Sequence, residues 1–125
     1  MSGFNLFVYG TLRRGGSAHQ TLDACEFVAD GTVGGTLYDI DDSFPALLLY
    51  GAVPVYGEVW RCPAELLLRL DEYEGTARGL FRRVGVEVAT DDGTLPCWTY
   101  AAGPALARGL LPRRRLASGR WPDSG

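Results

Sequence analysis

Only one stretch of this chain, residues 63–74, carries the spacing of an amphipathic helix; every other apolar run is short and broken by glycine, proline or aspartate. Pro63 suits the first helical position and Gly75 the position just past the end. Leu66, Leu67, Leu70 and Tyr73 recur at helical spacing and predict one inward face. The remaining runs have strand length. They are residues 4–9, 32–40 (interrupted by Gly34-Gly35), 45–50, 55–61, 82–90 and 94–101. Val84, Val86 and Val88 alternate onto one face. Asp41-Asp42-Ser43 reads as a turn and Asp92-Gly93 as a hairpin signal. Residues 17–25 allow a short helix with Ser17 as its cap. About six strands and one good helix predict an α+β domain whose mostly antiparallel sheet can curl into a barrel.

No repeat or linker divides the 125 residues, so residues 1–125 read as a single domain, with 122–125 a frayed tail. A hydrophobic fraction of 46% is ordinary for a folded domain. The net charge of −3 argues against nucleic acid as a partner, and Arg113-Arg114-Arg115 reads as a solvated stretch. All 12 basic residues are arginine, so neither a lysine Schiff base nor a P-loop lysine is available. Cys25, Cys62 and Cys97 lack the spacing of a disulfide framework or a zinc knuckle. With His19 the sole histidine, neither a serine triad nor a multi-histidine metal site is expected. No apolar run approaches the roughly 20 residues of a membrane helix, and no leader pattern opens the chain. The expectation is a cytoplasmic protein.

Four features bear on chemistry. Glu74 ends the helix and follows Leu67 and Leu70 at i+7 and i+4, which places it on the apolar side. A carboxylate there opposes the helix dipole. Burial and the neighbouring charge of Asp71 would both raise its pKa, which is the profile of a proton shuttle. A solvated carboxylate at a helix end is the plainer reading of the spacing alone. Next, Tyr9-Gly10-Thr11-Leu12 follows a buried strand; glycine lets the backbone turn sharply, and successive N–H groups can form an anion-binding nest. Arg13 and Arg14 beside it can bind a carboxylate. Third, of Arg82 and Arg83 one points inward and can orient an acid or a substrate carboxylate. Finally, Asp39, Asp41 and Asp42 lack the pattern of a calcium loop and read as a polar turn. Cys97 reads as core rather than nucleophile.

The ordered set of motifs resembles the gamma-glutamylcyclotransferase-like family, in its gamma-glutamylamine cyclotransferase or AIG2-like branch. Phe7-Val8-Tyr9-Gly10-Thr11-Leu12-Arg13-Arg14-Gly15 is similar to the family's opening signature. Gly35-Thr36-Leu37-Tyr38-Asp39 and Phe44-Pro45-Ala46 resemble its middle strands. Val55-Tyr56-Gly57-Glu58-Val59-Trp60 is similar to the strand before the helix. Leu70-Asp71-Glu72-Tyr73-Glu74-Gly75 resembles the catalytic helix end, with Phe81-Arg82-Arg83 after it. Trp98-Thr99-Tyr100 and Ser118-Gly119-Arg120-Trp121 fit the last strand and the tail, with Trp121 packing on the domain. Phe81 stands where the family frequently has tyrosine.

The resemblance implies a small mixed α+β fold, a distorted β-barrel with one main helix and the substrate in its cavity. It implies a cofactor-independent, metal-free enzyme acting on a small gamma-glutamyl molecule, as a monomer or weak homodimer. Members release 5-oxoproline and a free amine from a gamma-glutamyl amine or amino acid. At the matched positions Glu74 would transfer protons, Tyr9, Gly10, Thr11 and Leu12 would hold the gamma-glutamyl group, and Arg83 would bind substrate. The substrate's own α-amine attacks its γ-carbonyl, so the chain needs no nucleophile of its own. Two alternatives stay open: a gamma-glutamyl amide hydrolase on the same scaffold, and a non-catalytic binding module, which Phe81 favours.

Overall fold

The computed structural model describes residues 3–122. The other residues of the expected tail, 123–125, lie outside the described residues. β1 (Phe4–Val8) is buried on both faces from Leu6 onward, which is why it reads, apart from the half-buried Asn5, as an apolar run rather than an alternating one. Leu6 and Val8 join Trp60, Leu66, Leu70 and Tyr100 in one core; Phe7 joins Leu37, Leu47, Val55, Val59 and Val88 in a second. The strand therefore divides two hydrophobic clusters, and its last residues are held from both sides.

β2 (Glu26–Ile40), β3 (Phe44–Cys62), β4 (Phe81–Thr90) and β5 (Gly93–Ala102) complete a closed barrel in the order β1-β3-β2-β4-β5. The pairings are antiparallel except for the parallel closure of β1 on β5 at Leu6 and Trp98. Asp41 and Asp42, at φ 52° and 60°, make the left-handed turn between β2 and β3, a conformation that aspartate tolerates better than bulkier residues. Ser118-Gly119-Arg120-Trp121 packs back on the barrel: Gly119 O accepts from Tyr56 N, and Trp121 Nε1 donates to Asp39 Oδ1 at 2.7 Å. Arg114 holds the same Asp39 carboxylate, so that acidic turn serves structure.

The expected count of six strands becomes five among the described residues. Residues 45–50 and 55–61 belong to one strand, β3. Gly35 pairs with Val53 and Thr36 with Leu48, so residues 49–52 bulge out of an otherwise continuous ladder. Thr36 Oγ1 donates to Tyr50 O at 2.7 Å and closes the bulge. The expected 17–25 helix is a 3-10 turn at His19–Leu22, preceded by Ala18 with no side-chain cap, so Ser17 does not cap it.

The main helix, α1 (Leu66–Tyr73), starts later than expected, Pro63 lying in the turn before it. Leu66 and Leu70 are buried as expected, but Tyr73 is 54% exposed, because it stands at the rim rather than under the helix. Gly75, at φ 69°, takes the left-handed position that ends α1. A short second helix, α2 (Pro104–Ala107), follows β5. No helix of the described residues is long and apolar enough to cross a membrane.

Candidate active site

A cavity of about 430 Å³ opens where the end of β1, the start of β3, the end of α1, the start of β4 and the end of β5 converge. Its wall includes Tyr9, Gly10, Thr11, Leu12 and Glu74, five positions that the sequence singled out. Arg83 is not in the wall; its guanidinium forks onto Asp71, Nε to Oδ1 at 2.9 Å and Nη2 to Oδ2 at 3.2 Å. Arg82 is exposed and Arg83 half-buried, so the two arginines differ in exposure but neither enters the cavity.

Glu74 caps the end of α1, its N–H bonded to Leu70 O at 2.9 Å. Among the described residues no hydrogen bond or ion pair holds its carboxylate. Burial pushes its pKa from the usual 4.5 up to about 7. The expected second cause, the charge of Asp71, does not contribute. Arg83 and the Tyr100 hydroxyl, at 2.6 Å, already compensate Asp71.

Glu58 shows what a structural carboxylate looks like in the same chain. Burial alone would raise its pKa, but the Arg14 N–H, the Trp60 indole and the Arg14 guanidinium outweigh burial and hold it below the usual range. It faces a second, polar concavity of about 770 Å³ with Arg13, Asp30 and Arg120. That hollow is larger, but its buried carboxylate is neutralised. Of the two, only the first cavity holds a buried acid whose pKa is raised toward neutrality.

The Gly10 turn is fixed from behind. Arg13 N–H donates to Gly10 O, Ala18 N–H to Thr11 O, and His19 Nδ1 lies 2.8 Å from Leu12 O. A carbonyl only accepts, so Nδ1 carries the proton in that bond. A Cβ at Gly10 would lie 2.6 Å from two ring carbons of Pro45, so the close passage of the turn over β3 requires glycine. No hydrogen bond among the described residues engages the N–H groups of Gly10, Thr11 and Leu12. Tyr9 supplies ring and backbone but not a free hydroxyl. Its O–H donates to Tyr100 O at 2.5 Å and accepts from Leu47 N–H at 3.3 Å. Burial and then the charge of Glu74 push its pKa upward.

Sequence reasoning missed Tyr100, Phe44, Pro45 and Leu80 in this wall. Phe44, Pro45 and Tyr100 stand in stretches that the order of motifs matched, but nothing in their local pattern points to a cavity. Phe81 also lines the cavity, its ring 6.0 Å from that of Phe44. A buried acid with an elevated pKa, sharing a cavity wall with a turn whose N–H groups are not engaged, can shuttle a proton and stabilise an oxyanion.

Residues 6–123 match the family model described as gamma-glutamyl cyclotransferase, AIG2-like. The chain is 37% identical over 102 residues to gamma-L-glutamyl-butirosin B gamma-glutamyl cyclotransferase of Niallia circulans. That match takes in 77% of this chain and 65% of the relative, so the chain spans just under two thirds of that relative's length. Among solved structures it is similar to an AIG2-like protein from Mus musculus, with TM-score 0.74 at 22% identity, covering 89% of this chain and 86% of that one. It is also similar to a uropathogenic E. coli-specific protein, with TM-score 0.78 at 24% identity, covering 97% and 94%. At these identities the two structures establish the shared fold.

Proposed function

The chain belongs to the gamma-glutamyl cyclotransferase, AIG2-like family, and on that basis we propose that it releases 5-oxoproline and a free amine from a gamma-glutamyl amine or gamma-glutamyl amino acid. The observation that carries this reading is the unpaired Glu74 carboxylate, raised to a pKa of about 7 by burial in the cavity wall. The substrate's α-ammonium gives a proton to Glu74. The freed amine attacks the substrate's own γ-carbonyl; the C–N bond forms and the carbonyl oxygen becomes an oxyanion. The N–H groups of the Gly10–Leu12 turn stabilise that charge. Protonated Glu74 then passes its proton to the leaving nitrogen. The amide C–N bond breaks, and the restored carboxylate takes the remaining extra proton from the attacking nitrogen, now in the ring, and hands it to the released amine, which leaves as its ammonium. The cavity folds the substrate so that its amine and carbonyl meet at about 3–3.5 Å, which selects the reactive conformer of an intramolecular reaction.

The test is product identity. Purified protein with a panel of gamma-glutamyl amines and dipeptides is expected to yield 5-oxoproline above a no-enzyme control. Their N-acetylated counterparts, which lack the attacking amine, are expected to be inert. Glutamate as the product, or turnover of the N-acetylated compounds, would instead identify a hydrolase.

Two further outcomes follow. Glu74 must be ionised to accept the first proton, so kcat/KM is expected to rise with pH through about 7 and then level. A flat profile between pH 5 and 8 would remove Glu74 from the first step. Gly10→Ala forces the turn away from Pro45, and a displacement approaching ~1 Å lowers kcat/KM by about 10–100-fold. Steady-state kinetics with a parallel Tm measurement separates that loss from unfolding; wild-type kinetics would show that the turn does not hold the reacting groups.

A further inference from the structure

Three tyrosines line the cavity, Tyr73 exposed at its rim and Tyr9 and Tyr100 buried, and the hydrogen bonds of the two buried hydroxyls differ in one decisive respect. The Tyr9 hydroxyl is saturated, donating to Tyr100 O and accepting from Leu47 N–H. The Tyr100 hydroxyl makes a single bond among the described residues, to Asp71 Oδ1 at 2.6 Å. Asp71 is gripped by both Nε and Nη2 of Arg83, and a carboxylate in that fork accepts without donating. The Arg83 guanidinium itself lies over the Trp98 ring, 4.5 Å from its centre. The proton in the Tyr100–Asp71 bond must therefore belong to Tyr100. With its O–H committed to Asp71, the phenolic oxygen can offer the cavity only lone pairs.

Tyr100 is 4% exposed and cannot reorient without breaking this bond. Glu74 belongs to the same environment: burial first, then the Asp71 bond and charge, then the charge of Glu74 push the Tyr100 pKa upward. A fixed neutral acceptor beside a carboxylate is complementary to a cationic donor. The substrate of the proposed reaction has one such group, its α-ammonium.

We infer that Tyr100 is a substrate-binding residue that receives a hydrogen bond from the substrate's α-ammonium, and that Asp71, braced by Arg83, is a positioning residue that fixes the direction of the Tyr100 O–H. This rests on the cyclotransferase reading. It gives Arg83 a place in the site without contact to substrate. It also divides the ammonium between two partners: Glu74 takes a proton from it, and Tyr100 aims its nitrogen at the carbonyl.

The test compares wild type, Tyr100→Phe, Asp71→Asn and the double variant on a gamma-glutamyl amine that wild type turns over. The corresponding glutaric acid monoamide, which lacks only the α-amine, serves as competitive inhibitor. Tyr100→Phe keeps the ring and the packing and is expected to raise KM about tenfold or more, the loss of one hydrogen bond to a charged group. The Ki of the deaminated analogue is expected to stay at its wild-type value, since that compound never used the bond. Asp71→Asn supplies an N–H that can occupy the Tyr100 oxygen, so it is expected to raise KM similarly. The double variant is then no worse than either single one, as for residues acting in one chain. An unchanged KM for Tyr100→Phe, or an equal loss for the deaminated analogue, overturns the inference while leaving the cyclotransferase intact. Additive losses accompanied by a lowered Tm assign Asp71 to the fold alone and overturn its positioning role. Absence of 5-oxoproline from wild type across the panel overturns the reaction and this inference together.

Discussion

Replacing Glu74 by glutamine is expected to lower kcat by at least about 10²-fold while making the protein more stable above neutral pH. Both effects come from one cause. Burial raises the Glu74 pKa from 4.5 to about 7, so the folded state binds this proton more tightly than the unfolded chain does. That contribution is fully present below pH 4.5 and is lost as pH rises through about 7. The difference is worth about 3 kcal/mol once the group is ionised in both states. Glutamine carries no charge to desolvate, so wild type and variant should unfold alike in urea at about pH 4 and diverge by about pH 8, with the variant the more stable. Full turnover by the variant would remove the proton shuttle. Equal stability at pH 8 would show that Glu74 is not held in an unfavourable ionised state.

The largest stability loss is expected from Leu70→Ala. Leu70 is 0% exposed and packs with Leu6, Val8, Leu66 and Tyr100 between α1 and the barrel. Truncation removes that burial and leaves a void that a closed barrel fills poorly, at a cost of about 2–5 kcal/mol. Leu70 precedes Asp71, and its carbonyl accepts the Glu74 N–H, so loosening this contact also loosens the helix end that carries both carboxylates. Leu68, on the opposite face and 77% exposed, gives the contrast: Leu68→Ala should change stability by less than about 0.5 kcal/mol. Urea unfolding of the two variants side by side checks the orientation of α1. A loss at Leu68 comparable to that at Leu70 would contradict it.

The sequence exposes those features whose causes are local. The double-sided burial of β1, the glycine stop after α1 and the alternation in β4 leave patterns that a reader can follow. So does Glu74, whose spacing from Leu67 and Leu70 puts it on the buried side. What is not legible depends on partners far along the chain. Tyr50, Gly51 and Pro54 look like a break between two strands, yet β2 continues alongside and turns the break into a bulge. Asp71 reads as a like charge beside Glu74, because the arginine that neutralises it arrives from β4. Tyr100 carries no signal of its own; only closure of β5 on β1 brings it against α1. The functional reading of the Tyr9–Leu12 turn came from the order of motifs along the whole chain, since a glycine after a strand is by itself an ordinary turn.

The most direct test of intramolecular ring closure is turnover of a gamma-glutamyl amine in water enriched in oxygen-18, with both products analysed by mass spectrometry. The account predicts 5-oxoproline without label, in equal amount to the released amine, because the bond to the γ-carbon is made by the substrate's own nitrogen and no water oxygen enters. Glutamate carrying one heavy oxygen in its γ-carboxylate would contradict it, and would show that water is the nucleophile in this cavity.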